Sequence, residues 1–81
     1  MKKKCEFMMN KDYLMNEFQA ITDIEGNSVV ALGLIEGIEI NEQDKRIYVI
    51  LKQHKESDFF ETRIRDIIKE EGYDAEVERE E

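Results

Sequence analysis

The stretch of sequence that decides the fold spans residues 23–40 and reads DIEGNSVVALGLIEGIEI. Two acidic residues, Asp23 and Glu25, come first, and an apolar run interrupted by Gly33 and Gly37 follows. Glycine inside an apolar segment indicates a tight turn or a β-bulge rather than a flat strand. We therefore expect this stretch to build the entry into a sheet, with its backbone bent at the glycines.

The residues before this stretch predict an amphipathic helix. Asn10 can cap a helix N-terminus, because its side-chain oxygen can accept a hydrogen bond from a first-turn N–H. Leu14, Phe18 and Ile21 then follow at helical spacing and predict one apolar face. We expect the helix to end before Gly26, where Gly-Asn forms a turn signal.

Two strands joined by a short turn are expected in the middle of the chain. Residues 28–32 are apolar and β-branched, and they predict a loosely extended segment. Residues 34–40 and 46–52 place apolar side chains in alternation, as strands do, and residues 41–44 form a polar turn between them. The pattern predicts an antiparallel hairpin.

A second helix and a last strand are expected in the C-terminal third of the chain. Ser57 or Asp58 begins the helix, and Asp58 with Glu61 has the spacing of a capping box. Gly72 fits the left-handed position that closes a helix. Apolar and acidic residues then alternate over residues 73–78, which is typical of a strand with one buried face.

The predicted element order is α-β-β-α-β, which favours the α+β fold class. In such a two-layer arrangement, two helices cover one face of a small three-stranded mixed sheet. The 81 residues form a single domain, residues 1–81, whose core is near the lower limit for independent stability. We expect residues 1–9 to be a flexible N-terminal segment.

Composition and charge argue against several functional classes. The net charge of −8 argues against nucleic acid as a partner, because phosphate binding needs clustered Lys and Arg. No apolar run approaches the roughly 20 residues that a membrane-spanning helix needs, so we expect no membrane partner. No signal-peptide pattern follows the basic N-terminus. Cys5 is the single cysteine and cannot form an internal disulfide, which points to the reducing cytoplasm.

The element order and two short motifs resemble one family of small domains. The first motif is Asp23-Ile24-Glu25, where that family has Asp-Pro-Glu, so Ile24 replaces the proline. The second motif is Leu32-Gly33-Leu34-Ile35, which matches the family's residue for residue. With these motifs, the chain resembles the SufT/PaaD-type iron–sulfur cluster assembly domains over roughly residues 12–79. The resemblance implies a protein partner in the iron–sulfur assembly machinery.

The third motif of that family is a segment with a cysteine just before the second helix. Here the corresponding residues 51–57 read LKQHKES, and Glu56 occupies the place of the cysteine. A thiolate at a helix N-terminus is a soft ligand for iron or zinc, whereas a carboxylate is a hard ligand and cannot relay sulfur. The resemblance therefore implies a non-enzymatic accessory protein that acts by binding other proteins.

Other interpretations are open at this point. Cys5, His54 and Glu56 are weak candidates for holding a divalent metal or an iron–sulfur cluster, which would make the protein a carrier. Asp23 and Glu25 could be a carboxylate pair for acid–base chemistry, although a short acidic side chain such as Asp23 more often caps a turn. No phosphate loop or catalytic triad is present, so we expect no enzymatic activity. A protein-binding module unrelated to metal is a further alternative, and an exposed edge strand could pair two copies as a homodimer.

Overall fold

The fold was described from a computed structural model, which defines the chain over residues 9–80. The elements are α1 (Lys11–Phe18), β1 (Ile35–Asn41), β2 (Arg46–Lys52), α2 (Ser57–Glu70) and β3 (Asp74–Glu80). The strands lie in the order β1-β2-β3, with β1 antiparallel and β3 parallel to β2. The predicted α+β fold with two helices and a mixed three-stranded sheet is confirmed.

The first residue that the structure describes has a buried side chain. Met9, the last residue of the expected flexible segment, is only 6% exposed and belongs to the core. The described core therefore includes the residue directly before the cap of α1. The other residues of that expected segment, including the metal candidate Cys5, lie outside the described range.

Helix α1 is capped as predicted but is shorter than expected. The Asn10 side chain accepts a hydrogen bond from the N–H of Tyr13 at 2.8 Å. The helix ends at Phe18, because the next N–H groups turn back to carbonyls three residues earlier, such as that of Ala20 to Glu17 at 3.2 Å. Ile21 lies beyond the helix and is nevertheless buried, at 1% exposure.

The expected extended conformation at residues 28–32 is wrong, because this segment is a helical turn. The Leu32 N–H donates to the Ser28 carbonyl at 2.9 Å, and the Ser28 hydroxyl accepts from the N–H of Ala31 at 2.9 Å. Gly33 then reverses the chain with a φ of +72°, a backbone conformation that favours glycine. The serine thus caps a turn, a local preference that outweighs the β-branched composition.

The hairpin forms with the backbone bend that the glycines predict. Between β1 and β2, the register shifts from Ile35↔Leu51 to Gly37↔Ile50, so Glu36 is the extra residue of a β-bulge. The bulge explains why Glu36 interrupts the apolar pattern, since the residue has no partner in the ladder. Its carboxylate instead contacts the Lys52 ammonium at 3.0 Å.

Helix α2 starts and ends near the predicted residues, but the predicted capping box is wrong. Its N-cap is Glu56, whose side chain makes no capping hydrogen bond. Asp58 and Glu61 both bind the guanidinium of Arg79 on β3 instead, and Arg79 Nε lies 3.0 Å from Glu61 Oε1. At the other end, Gly72 has a φ of +89° and closes the helix as expected.

The core lies between the two helices and the inner face of the sheet. Its fully buried members include Leu14 and Phe18 from α1 and Phe60, Ile64 and Ile68 from α2. On β2 the side chains of residues 47, 49 and 51 are buried while those of residues 48 and 50 are half-buried on the opposite face. No helix within residues 9–80 has the length and apolar character needed to cross a membrane.

Candidate functional site

The predicted acidic motif folds into a tight turn organised by Asp23. One Asp23 carboxylate oxygen accepts hydrogen bonds from the N–H groups of Glu25, at 2.9 Å, and of Asn27, at 2.8 Å. The Asp23 N–H donates to the Asn27 carbonyl at 2.9 Å, which closes the turn from the other side. Asp23 therefore acts as the turn cap, whereas Glu25 is exposed.

The charge of Asp23 is stabilised by these contacts. The N–H of Asn27 lowers the pKa of the Asp23 carboxyl most, and desolvation opposes this effect. The N–H of Glu25 and, more weakly, a charged His54 ring lower the pKa further. The effect of a charged His54 ring on Asp23 requires that the two side chains lie near each other. The turn at residues 23–27 and the loop before α2 therefore lie at the same end of the molecule.

The loop that carries the cysteine in the resembled family is closed by its own hydrogen bonds. The Ser57 hydroxyl accepts from the His54 N–H at 2.6 Å and lies 3.4 Å from the Lys52 carbonyl. The Glu56 N–H donates to His54 Nδ1 at 3.0 Å. Ser57 is 2% exposed, so this residue, which no site prediction included, is the buried centre of the loop.

The hydrogen bond to His54 Nδ1 sets the tautomer of the neutral imidazole. A backbone N–H can only donate, so Nδ1 is the acceptor, and the neutral ring carries its proton on Nε2. Metal binding at either ring nitrogen would require the loss of the Glu56 bond, because Nδ1 must either bind the metal or take up the Nε2 proton. His54 is therefore built as a structural residue of the loop.

Glu56 lies at the position of the family cysteine, directly before the first turn of α2. The position suits an anion, since the unpaired N–H groups and the dipole of a helix N-terminus favour negative charge. The side chains at this end do not fit an iron–sulfur cluster, because residues 9–80 contain no thiolate and His54 is engaged. Within the same range, no three side chains of the metal-ligating types His, Cys, Asp and Glu come together.

The second motif, residues 32–35, has a structural role. Gly33 provides the positive φ that ends the turn, and Leu34 is buried at 7% exposure at the entry to β1. The Leu34 carbonyl accepts from the Lys52 N–H at 2.8 Å, which ties the motif to the end of β2. Leu32 is half-buried against the core. These residues position the loops and present no reactive group.

Two apolar side chains are exposed beside these loops, and sequence reasoning did not single them out. Ile24 is 89% exposed at the tip of the acidic turn, and Phe59 is 48% exposed in the first turn of α2. Phe59 packs against Phe60 with 5.9 Å between ring centroids, and Phe60 packs against His54 at 5.4 Å. Ile24, His54 and Phe59 are called the loop surface below. The sequence signal that could have pointed to Ile24 was its replacement of the family's proline.

Comparison with known proteins supports the fold. No known family profile matches the sequence, and no curated protein matches it. The structure is similar to the crystal structure of a domain of unknown function, DUF59, from Bacillus anthracis. The two superpose with a TM-score of 0.72 at 16% sequence identity, over 85% of this chain and 72% of that chain. The similarity shows that the two chains share a fold.

Proposed function

We propose that this protein is a non-enzymatic accessory protein of the iron–sulfur assembly type, which acts in the cytoplasm by binding other proteins. The DUF59 domains, whose fold this chain shares, include the SufT/PaaD-type domains. The two motifs quoted above, Asp23-Ile24-Glu25 and Leu32-Gly33-Leu34-Ile35, both lie at turns, with Asp23 as a turn cap and Gly33 at a positive φ. The fold and the motifs together support the assignment to this type of domain.

The observation that carries the proposal is the replacement of the family thiol by Glu56 in a loop that is closed on itself. The carboxylate cannot form a persulfide or relay sulfur, and as a hard ligand it disfavours a cluster. His54, the neighbouring candidate, is already bonded to the Glu56 N–H. An activity based on covalent sulfur or resident metal at this loop is therefore disfavoured, and binding of protein partners is the remaining use of the fold.

The loop surface provides a place for such binding. Burying an exposed apolar side chain under a partner removes its surface from water and so favours binding. Ile24 and Phe59 are the two large apolar side chains that are exposed within residues 9–80, and both lie next to the motif loops. A partner that covers them would gain from burial of both side chains without any change of the fold.

The test is co-purification of the tagged full-length protein from its native host, comparing the wild type with the variant I24S/F59S. We expect proteins of the iron–sulfur assembly machinery or their client proteins to be enriched with the wild type and lost with the variant. Neither side chain is buried in the core, so the variant is expected to keep its fold. A circular dichroism melt checks that it does.

The matched control is Q43S, which changes an exposed residue in the turn at the opposite end of the hairpin. This variant is expected to keep all partners. Two outcomes contradict the proposal: a partner set that is unchanged in I24S/F59S, or one without iron–sulfur proteins. A coloured protein after anaerobic reconstitution with iron and sulfide would instead favour the carrier alternative, in which Cys5 supplies the thiolate.

A further inference from the structure

The outer face of the sheet, opposite the helices, is not covered by any element within residues 9–80. The register places its side chains in lines across the three strands. One line is Glu39–Tyr48–Glu76, and the next is Gly37–Ile50–Glu78, each with its middle residue on β2. An apolar strip of Tyr48 and Ile50 therefore runs along the central strand, with carboxylates on both sides in the first line.

The apolar strip is half-buried. Gly37 has no side chain, and the Ile50 side chain packs beside it, since a Cβ built at Gly37 would lie in van der Waals contact with the Ile50 Cδ1 atom at 3.8 Å. Tyr48 is half-buried and its hydroxyl donates to the Glu78 carboxylate, which fixes the ring over the strip. An open depression of about 770 Å³ on the β1 side of the strip is lined by Tyr48, by the acids Glu39 and Glu76, and by the cations Lys11 and Arg46. The face thus offers a short apolar strip on β2 with acids on both sides and cations towards one end.

The charges on this face are unbalanced. The outer row of β3 consists of carboxylates at every second residue, and β1 adds one more, so the outward-facing acids are Glu39, Asp74, Glu76, Glu78 and Glu80. The two outward-facing cations, Arg46 and Lys52, lie at the ends of β2. Lys52 is already paired with Glu36 at 3.0 Å, and Arg46 lies beside Asp74 in the register. Glu76 and Glu78 in the middle of β3 have no cation opposite them in the register, whereas Lys11 at the start of α1 lines the depression on the β1 side.

From this face we infer that the outer surface of the sheet is a docking site for a basic amphipathic helix of a partner protein. The acids on β1 and β3 are two strand spacings apart, about 10 Å, which is close to the diameter of an α-helix. A helix lying along β2 would place its apolar side chains on Tyr48 and Ile50. Lys and Arg on its flanks would then reach the carboxylates on either side.

Charge complementarity decides between this occupant and a second copy of the chain. Two outer faces brought together would oppose five carboxylates to five others, against Arg46 and Lys52 on the sheet and Lys11 at the rim of each. Such like-charge contact costs free energy when it is desolvated at an interface. A basic helix meets the same carboxylates with opposite charge. The site is separate from the loop surface and does not depend on the function proposed for it.

The probe for this site is a fluorescein-labelled helical peptide of about 18 residues with a leucine stripe flanked by lysines. Binding to the full-length protein is measured by fluorescence anisotropy, and the contact face is mapped by amide chemical-shift changes. We expect the shifts at residues 37, 48, 50 and 76 to change most. A second peptide in which every lysine is replaced by glutamate is expected not to bind.

Charge neutralisation separates a specific site from general attraction to an acidic protein. The variant E39Q/E76Q removes two rim carboxylates and is expected to weaken binding by about three- to tenfold. The matched control D66N/E70Q removes the same charge from exposed positions on α2, away from this face, and is expected to change binding by less than about twofold. The variant I24S/F59S should bind the peptide as the wild type does.

Three results would overturn the inference. Equal weakening in E39Q/E76Q and D66N/E70Q would mean that the attraction is nonspecific. Shift changes confined to the loop surface would place the peptide elsewhere. Sedimentation of the free protein as a dimer, with the amides of residues 48 and 50 altered on dilution, would make a second copy the occupant of this face.

Discussion

At the scale of single residues, Asp23 shows how one carboxylate can look like a catalytic group and act as a structural one. Its oxygen holds two backbone N–H groups of the turn, and its neighbour Glu25 stays exposed. The motif could be predicted from the sequence because short acidic side chains cap turns by a purely local bond. The tautomer of the His54 ring could not be predicted, because it depends on which ring nitrogen accepts the hydrogen bond from the Glu56 N–H.

Replacing Asp23 tests the turn-cap assignment. D23A removes the acceptor of two backbone hydrogen bonds and is expected to lower the Tm by a few degrees, whereas D23N keeps a carbonyl acceptor and should lower it less. Thermal melts followed by circular dichroism measure both. Equal Tm values for the wild type and D23A would show that the turn does not need the carboxylate.

The pH dependence of stability should also reflect the role of the Asp23 carboxylate as a turn cap. In the folded chain the pKa of the Asp23 carboxyl lies below its ordinary value of 3.8, so the unfolded chain takes up the proton first as the pH falls. The stabilisation by Asp23 is therefore complete above about pH 4 and is lost as the pH falls through the lower, folded pKa. We expect the Tm difference between the wild type and D23N to narrow over that acidic range. A constant difference down to low pH would contradict the assignment.

The position of Glu56 can be tested with the thiol that the family places there. In the variant C5S/E56C, the helix N-terminus should lower the pKa of the new thiol below the usual value of about 8.5. The pH dependence of its alkylation rate by iodoacetamide reports that pKa. The control C5S/Q43C places a thiol in an exposed turn and should titrate near the usual value. The same pH dependence of alkylation in the two variants would mean that the helix N-terminus does not lower the pKa of a thiol at position 56, and would contradict the match to the family cysteine.

At the scale of secondary-structure elements, α2 and β3 are joined by a cluster of charges. Arg79 on β3 binds Asp58 and Glu61 in the first two turns of α2, and Glu61 also binds Arg65 at 3.0 Å. Arg65 in turn donates to the Ala75 carbonyl at 3.1 Å. The spacing of Asp58 and Glu61 was consistent with a capping box, and only the folding of β3 beside α2 decides that both acids bind an arginine.

Removing Arg79 tests the cluster. R79Q is expected to lower the Tm by a few degrees and to make the Tm less dependent on salt, because the ion pairs that salt screens are gone. R63Q is the control, since Arg63 is exposed on α2 and outside the cluster. Melts at low salt and at about 1 M NaCl measure the effect. A similar Tm drop in both variants would argue against the cluster as a link between the elements.

Gly72, which follows α2, and Gly37, which lies within β1, give a matched pair of glycine substitutions. G72A forces a Cβ into a φ of +89° with no steric contact nearby, so its expected cost, about 1 kcal/mol of unfolding free energy, comes from the backbone alone. G37A meets only an ordinary contact at 3.8 Å and is expected to leave the free energy unchanged or slightly higher. Urea unfolding measures both. The reverse order would contradict the assigned backbone conformations.

At the scale of the whole molecule, the sequence predicted the element order, the hairpin and the inner core face, because each follows from local periodicity. It did not predict contacts between distant residues. The Tyr13 hydroxyl donates to Glu71 at 2.8 Å across 58 residues, and that of Tyr73 to Glu42 at 2.7 Å across 31. The exposure of Ile24 and Phe59 falls in the same class, since it depends on how the folded chain covers the other large apolar side chains.

The central claim is that the protein acts by binding iron–sulfur assembly or client proteins through the loop surface. Site-specific photo-crosslinking in the native host tests it most directly, with a benzophenone amino acid at position 59 and, as the control, at position 43 in the distant turn. The expected result is a crosslinked product at position 59 that contains an iron–sulfur assembly or client protein, with none at position 43. The absence of any product at position 59, or the same products at both positions, would contradict the claim.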